Sequence, residues 1–168
     1  MEIISKIAEK LDNDVEIHVI GGLEKDIEFW SKKIKSENVY FYGFVPHNKV
    51  TKYLKALDVC LLPNQRIVHP HGADLSRGDV NISDFTSPLK LFEYMAHKKP
   101  IIASDLKVIR EVLNEKNSIL VDCDNLEMWL DAINKLKNLK KREQIAKKAY
   151  DDFSQYTWKN RAFLVVNN

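Results

Sequence analysis

The sequence predicts an α/β fold in which helices cover both faces of a parallel sheet. Segments with helical and strand-like apolar patterns alternate along the chain, which is typical of repeated β-α units. The run Val59–Leu62 is apolar throughout and is followed by Pro63, as expected for a strand buried on both faces. A length of 168 residues suits one domain with its own core. We therefore expect a single domain over residues 1–168.

The first part of the chain predicts three helices alternating with three strands. Apolar residues at helical spacing indicate the helices, and Asp12-Asn13-Asp14 favours a turn after the first one. Gly21-Gly22 closes the first strand, and Pro46 stops the second. In order, we expect a helix through Ile3, Ile4, Ile7 and Leu11, a strand Val15–Ile20, a helix through Ile27, Trp30 and Ile34, a strand Val39–Phe44, a helix through Val50, Tyr53, Leu54 and Leu57, and the strand Val59–Leu62.

A polar segment, Gln65–Thr86, separates this part from the rest of the predicted elements. Loops longer than about 12–15 residues are uncommon in compact domains and are often functional. Asp124 followed by Glu127 matches a capping box at the start of a later helix. After the loop we expect a helix Pro88–His97, a strand Ile101–Ala103, a short helix Leu106–Leu113, a strand Ile119–Val121, a helix through Leu126, Leu130 and Ile133, and helices Arg142–Phe153 and Trp158–Val165.

Charge and composition exclude several classes of protein. With 26 basic and 24 acidic residues the net charge is +2, which gives no electrostatic footprint for nucleic acid. Basic residues concentrate in Lys135–Lys148, which indicates a solvated helix face or, alternatively, contact with an anionic membrane surface. No apolar stretch reaches the roughly 18 residues of a membrane span, and no signal peptide is evident. Cys60 and Cys123 suit a reducing, cytoplasmic setting, and Cys60 is expected to be a buried small apolar residue.

The start of the helix after the polar loop departs from a local rule. Ser87 is a good N-cap and Pro88 suits the first helical position, which would make Lys90 the third helical residue. A helix start carries partial positive charge and favours an acid over a lysine. An anion bound at this turn would resolve the conflict, and the hydroxyls of Thr86 and Ser87 would add donors. The turn is therefore a candidate diphosphate site.

Glu93 lies one turn beyond Lys90 on the same predicted helix. Lys90, Glu93, Tyr94 and His97 fall on one face, and Leu89, Phe92 and Ala96 fall on another. A carboxylate one turn from a phosphate site is placed to accept hydrogen bonds from two ribose hydroxyls. The alternative is an exposed Lys90–Glu93 pair of minor energetic weight. Spacing alone leaves both interpretations open.

The segment Ser87–Ala96, followed by Lys99–Ser104, resembles the donor-site signature of family-4 glycosyltransferases with the GT-B fold. Further matches lie at Gly43–Pro46, Leu57–Val59, Pro63, Asp105, Arg110–Val112, Tyr156–Trp158 and Arg161–Ala162. They follow the family's order over nearly the whole chain, which makes the resemblance more specific than a glycine-rich loop. It implies a Rossmann-like fold, the C-terminal, donor-binding half of a GT-B enzyme.

The resemblance also implies roles for individual residues. Glu93 matches the glutamate that holds the ribose of the donor nucleotide, and Phe44 and Val45 match the loop beside the base. The diphosphate is expected on the turn formed by Thr86, Ser87, Pro88, Leu89 and Lys90. The implied reaction moves a sugar from UDP or GDP to an acceptor hydroxyl with retention, in polysaccharide, lipopolysaccharide or glycoconjugate synthesis. The family generally works without a metal, so we expect no metal and no cofactor besides the nucleotide-sugar substrate.

Two departures from the family bear on activity. Many members carry a second glutamate where this chain has Phe85, and the adjacent Asp84 is a weak candidate for a catalytic role. The chain also begins after the family's first strand and its diphosphate-gripping loop, and the acceptor-binding N-terminal domain is absent. We therefore expect an acceptor-binding domain or partner chain, or self-association through the incomplete sheet. The alternative is a non-catalytic nucleotide-sugar-binding or assembly subunit that acts with a separate acceptor-domain chain.

Two further groups of residues were weighed as sites. His69, His71 and Asp74 contain possible zinc ligands, but their spacing is unspecific, so a polar loop without metal is expected. The residues of this loop could instead touch the sugar or diphosphate; they are Arg66, His69, His71, Arg77 and Asp79. Three tryptophans stand at helical apolar positions and are expected in the core rather than at a binding surface: Trp30, Trp129 and Trp158.

Overall fold

The computed structural model describes residues 1–68, 81, 83 and 88–166. Short strands alternate with helices, so the predicted α/β order is confirmed. The elements are α1 (Glu2–Ala8), β1 (Ile17–Ile20), α2 (Glu24–Lys33), β2 (Val39–Gly43), α3 (His47–Ala56), β3 (Cys60–Leu62), α4 (Leu89–Ala96), β4 (Ile101–Ser104), α5 (Lys107–Arg110), β5 (Ile119–Val121), α6 (Leu126–Lys135), α7 (Leu139–Phe153), a 3₁₀ turn (Ser154–Tyr156) and α8 (Trp158–Val166).

Most predicted boundaries differ from the observed ones by only a few residues. The helix expected over Leu106–Leu113 is an exception, because α5 is a single turn. Beyond it the chain forms a turn in which the Asn114 amide donates to Asn117 Oδ1 at 2.8 Å. This side-chain bond competes with continued helix, which is the usual behaviour of asparagine.

The strands form two parallel sheets rather than one. β1 pairs with β2 in one sheet, and the order in the other is β3-β4-β5, with every strand pairing of the described residues parallel. Ile17 of β1 and Ile102 of β4 belong to the same buried cluster, so the two sheets share a core. No strand of the described residues joins β1 to β3. The incomplete sheet expected from the sequence is thus present in the described residues, in which β1 and β3 do not pair directly.

Helices cover both faces of the three-stranded sheet. In β4, Ile101 and Ile102 are both fully buried, yet they belong to different apolar clusters. Successive side chains of a strand point to opposite faces, so both faces are covered, as the continuous apolar pattern predicts. On one side pack α1 and α6, through Ile7 and Trp129. On the other pack α4, α5 and α7, through Leu91, Met95, Ile109 and Ala149.

The predicted core residues are mostly buried. Cys60 is 3% exposed, and burial raises the pKa of its thiol to about 12. Trp129 is fully buried and Trp30 packs against the same cluster, as predicted. The prediction for Trp158 is wrong, because this residue is 80% exposed. Helical spacing identifies residues that share a face, whereas burial depends on another element packing against that face.

The predicted capping box at α6 is also wrong. The N-cap is Asn125, whose Oδ1 accepts a hydrogen bond from the Met128 amide at 3.2 Å. The Asp124 amide donates to Asp122 Oδ1 at 2.9 Å, which places Asp124 in the preceding turn. Helix geometry therefore begins one residue later than the sequence motif indicates.

Asn125→Ala should lower the free energy of unfolding by about 1 kcal/mol, because one amide of the first turn of α6 loses its acceptor. Urea denaturation measures this change, and Asp124→Ala is the control. We expect the control to remain within about 0.5 kcal/mol of the unaltered chain, since its side chain is exposed. A larger loss for Asp124→Ala than for Asn125→Ala would restore the capping-box assignment.

Candidate functional site

The loops after the strands converge on one edge of the sheets. The three strand ladders of the described residues are parallel, so the carboxyl ends of paired strands point the same way. In open α/β folds, ligands bind at this edge. Gly43 ends β2 with φ of 69° and accepts a 2.8 Å hydrogen bond from the Gly21 amide. Positive φ suits glycine, and the bond ties the first two loops together.

The loop after Gly43 exposes an aromatic side chain at this edge. Phe44 is 83% exposed and Val45 is half-buried. Pro46 then serves as the N-cap of α3, and His47 is the first helical residue. The structure thus places the predicted base-binding pair, Phe44 and Val45, directly before a helix start.

Glu93 lies on α4 and faces the beginning of α3. Its side chain is 36% exposed, and its Oε1 is 4.0 Å from Nδ1 of His47, whose side chain is 89% exposed. Two elements distant in sequence therefore bring the predicted ribose-binding carboxylate beside the loop that carries Phe44. His47 was not predicted as a site residue, although its position at a helix start, directly after the Gly43–Pro46 match, was a usable signal.

Hydrogen bonds between α3 and α4 hold this arrangement. His97 Nδ1 donates to the Glu93 carbonyl at 2.8 Å, and its Nε2 is 3.3 Å from Thr51 Oγ1 on α3. Lys99 Nζ donates to the Leu57 carbonyl at 2.5 Å and to the Lys55 carbonyl at 3.0 Å, both at the end of α3. His97 and Lys99 therefore position the two helices and, with them, the Glu93–His47 pair.

The start of α4 differs by one residue from the prediction. Pro88 is the N-cap, with ψ of 117°, and the helix begins at Leu89 rather than at Pro88. The predicted Ser87 cap is thereby corrected, and Lys90 is the second helical residue instead of the third. Lys90 is exposed, Leu89 is 72% exposed, and the first turn contains no acid. The positively charged helix start on which the diphosphate prediction depends is present.

The polar loop lies largely outside the described residues. Thr86 and Ser87, predicted to bind the diphosphate, and Asp84, the weak catalytic candidate, fall there. So do His69, His71, Asp74, Arg77 and Asp79. The assignments of these residues stay predictions.

Arg66 forms ion pairs with two aspartates at the same edge. Its Nη2 lies 2.5 Å from Asp122 Oδ2 and its Nε 3.3 Å from Asp124 Oδ2. Asp122, Cys123 and Asp124 are the group among the described residues that could ligate a metal. The Arg66 guanidinium already neutralises both carboxylates, so this cluster is satisfied as an ion-pair network.

A second arginine–carboxylate pair follows β4. Arg110 forms a two-point contact with Asp105, in which Nη2 donates to Oδ2 at 2.9 Å, and its Nη1 contacts Glu115 at 2.9 Å. The hydrogen bonds from Arg110 lower the pKa of the Asp105 carboxyl below its usual value. Asp105 and Arg110, both part of the family resemblance, thus stabilise the loop after β4.

The cavity found at this edge among the described residues is small. A crevice of about 110 Å³ at the end of β3 is lined by Met1, Glu2, Asn64, Gln65 and Cys123. Pockets for small molecules usually measure about 300–1,000 Å³. A larger groove, about 310 Å³, lies between α6 and the turn that follows α1, on the face opposite α4. We assign the candidate site to the edge near Glu93, because chemistry and not cavity size distinguishes it.

Comparison with known proteins agrees with the α/β fold. A sequence profile described as "Glycosyl transferases group 1" matches residues 1–138. No curated protein matches the chain.

Among the described residues, no helix combines the length and apolar character needed to cross a membrane.

Several solved structures share the fold. TarM aligns over 99% of this chain at 19% identity and a TM-score of 0.70. Sucrose-phosphate synthase from Thermosynechococcus elongatus aligns over 99% at 18% identity and a TM-score of 0.74. HepE of Anabaena, in complex with UDP-glucose, aligns over 92% at 17% identity and a TM-score of 0.71. The chain spans 30% of the length of TarM and 40% of each of the other two.

Proposed function

Because this chain belongs to the group 1 glycosyltransferases, we propose that it is the donor-binding half of a nucleotide-sugar-dependent glycosyltransferase. The observation that carries the proposal is the position of Glu93 at the carboxyl edge of the sheets, beside an exposed loop and a basic helix start. A carboxylate there can accept hydrogen bonds from ribose hydroxyls. The first turn of α4 can bind a diphosphate through its amides and Lys90.

The proposed donor is a UDP- or GDP-sugar. The complex of HepE with UDP-glucose, a structure that shares this fold, supports the uridine form. In the proposed pose, the base lies beside Phe44 and Val45, and the ribose lies on Glu93. Thr86, Ser87, Pro88 and Leu89 complete the turn that holds the diphosphate with Lys90.

The proposed chemistry is transfer of the sugar to an acceptor hydroxyl with retention at the anomeric carbon. Departure of the nucleoside diphosphate builds negative charge on its oxygens. Amide donors and a lysine at a helix start stabilise such charge without reorganising, which lowers the barrier. We propose polysaccharide, lipopolysaccharide or glycoconjugate synthesis as the setting, without a metal.

The acceptor-binding half is proposed to come from outside the described fold. The chain corresponds to 30–40% of the length of the three structures compared, and no strand of the described residues pairs with the outer edges of β1 and β3. An N-terminal domain or a partner chain would supply the acceptor groove. The second candidate function follows from the same observation: a nucleotide-sugar-binding assembly subunit whose partner performs the transfer.

We expect the purified chain to bind UDP or GDP in a calorimetric titration, with one base clearly preferred. Of UDP-glucose and GDP-mannose, the one that carries the preferred base should bind more tightly. Uridine and guanosine should bind more weakly, because they lack the diphosphate that the start of α4 attracts. If no nucleotide of either base binds, the proposed function is wrong.

A further inference from the structure

We propose that His47 is a ribose-contacting residue, and that one hydroxyl of the donor's ribose bridges its imidazole to the Glu93 carboxylate. The inference rests on the proposed function and adds a residue to its site. It assigns to His47 a share of the selectivity for ribose over deoxyribose.

The distance between the two side chains carries the inference. His47 Nδ1 and Glu93 Oε1 are 4.0 Å apart. Hydrogen bonds of this type are about 2.7–3.2 Å long, so the two atoms are too far apart to bond directly. Consider one oxygen placed about 2.7 Å from Glu93 Oε1 and about 2.9 Å from His47 Nδ1. The angle between these two atoms at the bridging oxygen would be roughly 90°. The gap therefore fits a single bridging oxygen.

A hydroxyl group has the bonding capacity that this gap requires. A carboxylate only accepts hydrogen bonds, so the bridging group must donate to Glu93. The Nδ1–H form of imidazole donates, so the same oxygen must also accept from His47. A hydroxyl does both at once, whereas a deoxyribose carbon does neither.

The surroundings leave His47 available and hold its helix in place. Its side chain is 89% exposed, and among the described residues Glu93 is its polar neighbour. Thr51 and Leu57 of α3 contact His97 and Lys99, which follow α4. A ligand that reaches Glu93 from the side of Phe44 would pass His47, the residue that begins α3.

The test compares ribose with deoxyribose ligands in a calorimetric titration. The Kd of the 2′-deoxy and 3′-deoxy forms of the preferred diphosphate is divided by the Kd of the parent diphosphate. In His47→Ala, one of these two ratios should fall by about 2- to 12-fold, the range for one hydrogen bond. His47→Gln retains an N–H donor and should recover part of the ratio. Asn48→Ala, an exposed neighbour in the same first turn, is the control and should leave both ratios unchanged.

The outcomes separate this inference from the proposed function. If His47→Ala weakens parent and deoxy ligands equally, or changes nothing, His47 has no ribose contact and the inference is overturned, while the function stands. If the unaltered chain binds neither UDP nor GDP, both are overturned. A fall in either ratio with the Asn48→Ala control unchanged supports the bridging hydroxyl.

Discussion

Glu93→Ala should weaken binding of the preferred nucleoside diphosphate by roughly 10- to 150-fold, which is about 1.5–3 kcal/mol of binding free energy. The reason is the loss of charge-assisted hydrogen bonds from the ribose hydroxyls to the carboxylate. Such bonds are about twice as strong as those between neutral groups. Calorimetric titration of the purified variant measures the change.

The structure provides suitable comparisons for this variant. Glu28→Ala removes an exposed carboxylate from α2, where it pairs with Lys32, and should leave binding unchanged. Glu93→Gln keeps the shape of the side chain and one acceptor oxygen, so its affinity for the diphosphate should lie between those of the parent and of Glu93→Ala. The Glu93 side chain is 36% exposed, so Glu93→Ala should change the free energy of unfolding by only about 0.5 kcal/mol. Binding by Glu93→Ala as tight as that of the parent chain would show that the ribose site is elsewhere.

The isolated chain should show no sugar transfer, the largest effect that we expect. The proposed donor site binds one substrate, whereas transfer also needs an acceptor hydroxyl held beside the anomeric carbon of the sugar. Catalysis by positioning is lost when either reactant is not held. An assay can follow the release of UDP or GDP from the nucleotide sugar in the presence of an acceptor. For the chain alone, the rate should not exceed that of a blank without protein.

The unpaired strand edges lead us to expect self-association or dependence on a partner. In a parallel ladder the N–H and C=O of one residue point to the same neighbour, and the next residue points away. The Ile17 amide donates to the carbonyl of Asn38, directly before β2, so the backbone of His18 points away from β2. The Cys60 amide bonds to the Pro100 carbonyl, so Leu61 points away from β4. No described strand pairs with these outward groups, and such edges attract another strand.

Light scattering across a range of concentrations, recorded beside the transfer assay, tests this expectation. Addition of an acceptor-binding domain, either fused or as a separate chain, should reduce self-association and permit transfer if it supplies the missing strand. A monomer that transfers sugar to an added acceptor without a partner would contradict both parts of the prediction. Transfer by the partner alone, without this chain, would favour the assembly subunit, whereas transfer that requires both would favour the enzyme.

Local patterns in the sequence determined the elements and the central residue of the candidate site. The strand around Val59–Leu62 and the strand after Pro100 were predictable because continuous apolar runs bounded by proline suit burial on both faces. Glu93 and Lys90 were placed on one helix because their spacing and the helix-start residues are local features. The lack of direct β1–β3 pairing among the described residues also agrees with the order of elements, since topology depends on which segments precede which.

The tertiary structure alone decided where these elements end and which of them meet. The caps moved to Pro88 and Asn125, because a helix start depends on backbone geometry as well as on residue type. Trp158 is 80% exposed although it stands at an apolar helical position, because such spacing does not determine how much of a side chain other elements cover. His47 comes within 4.0 Å of Glu93 because contacts between α3 and α4 bring distant segments together, and no local pattern encodes a distance between separate helices.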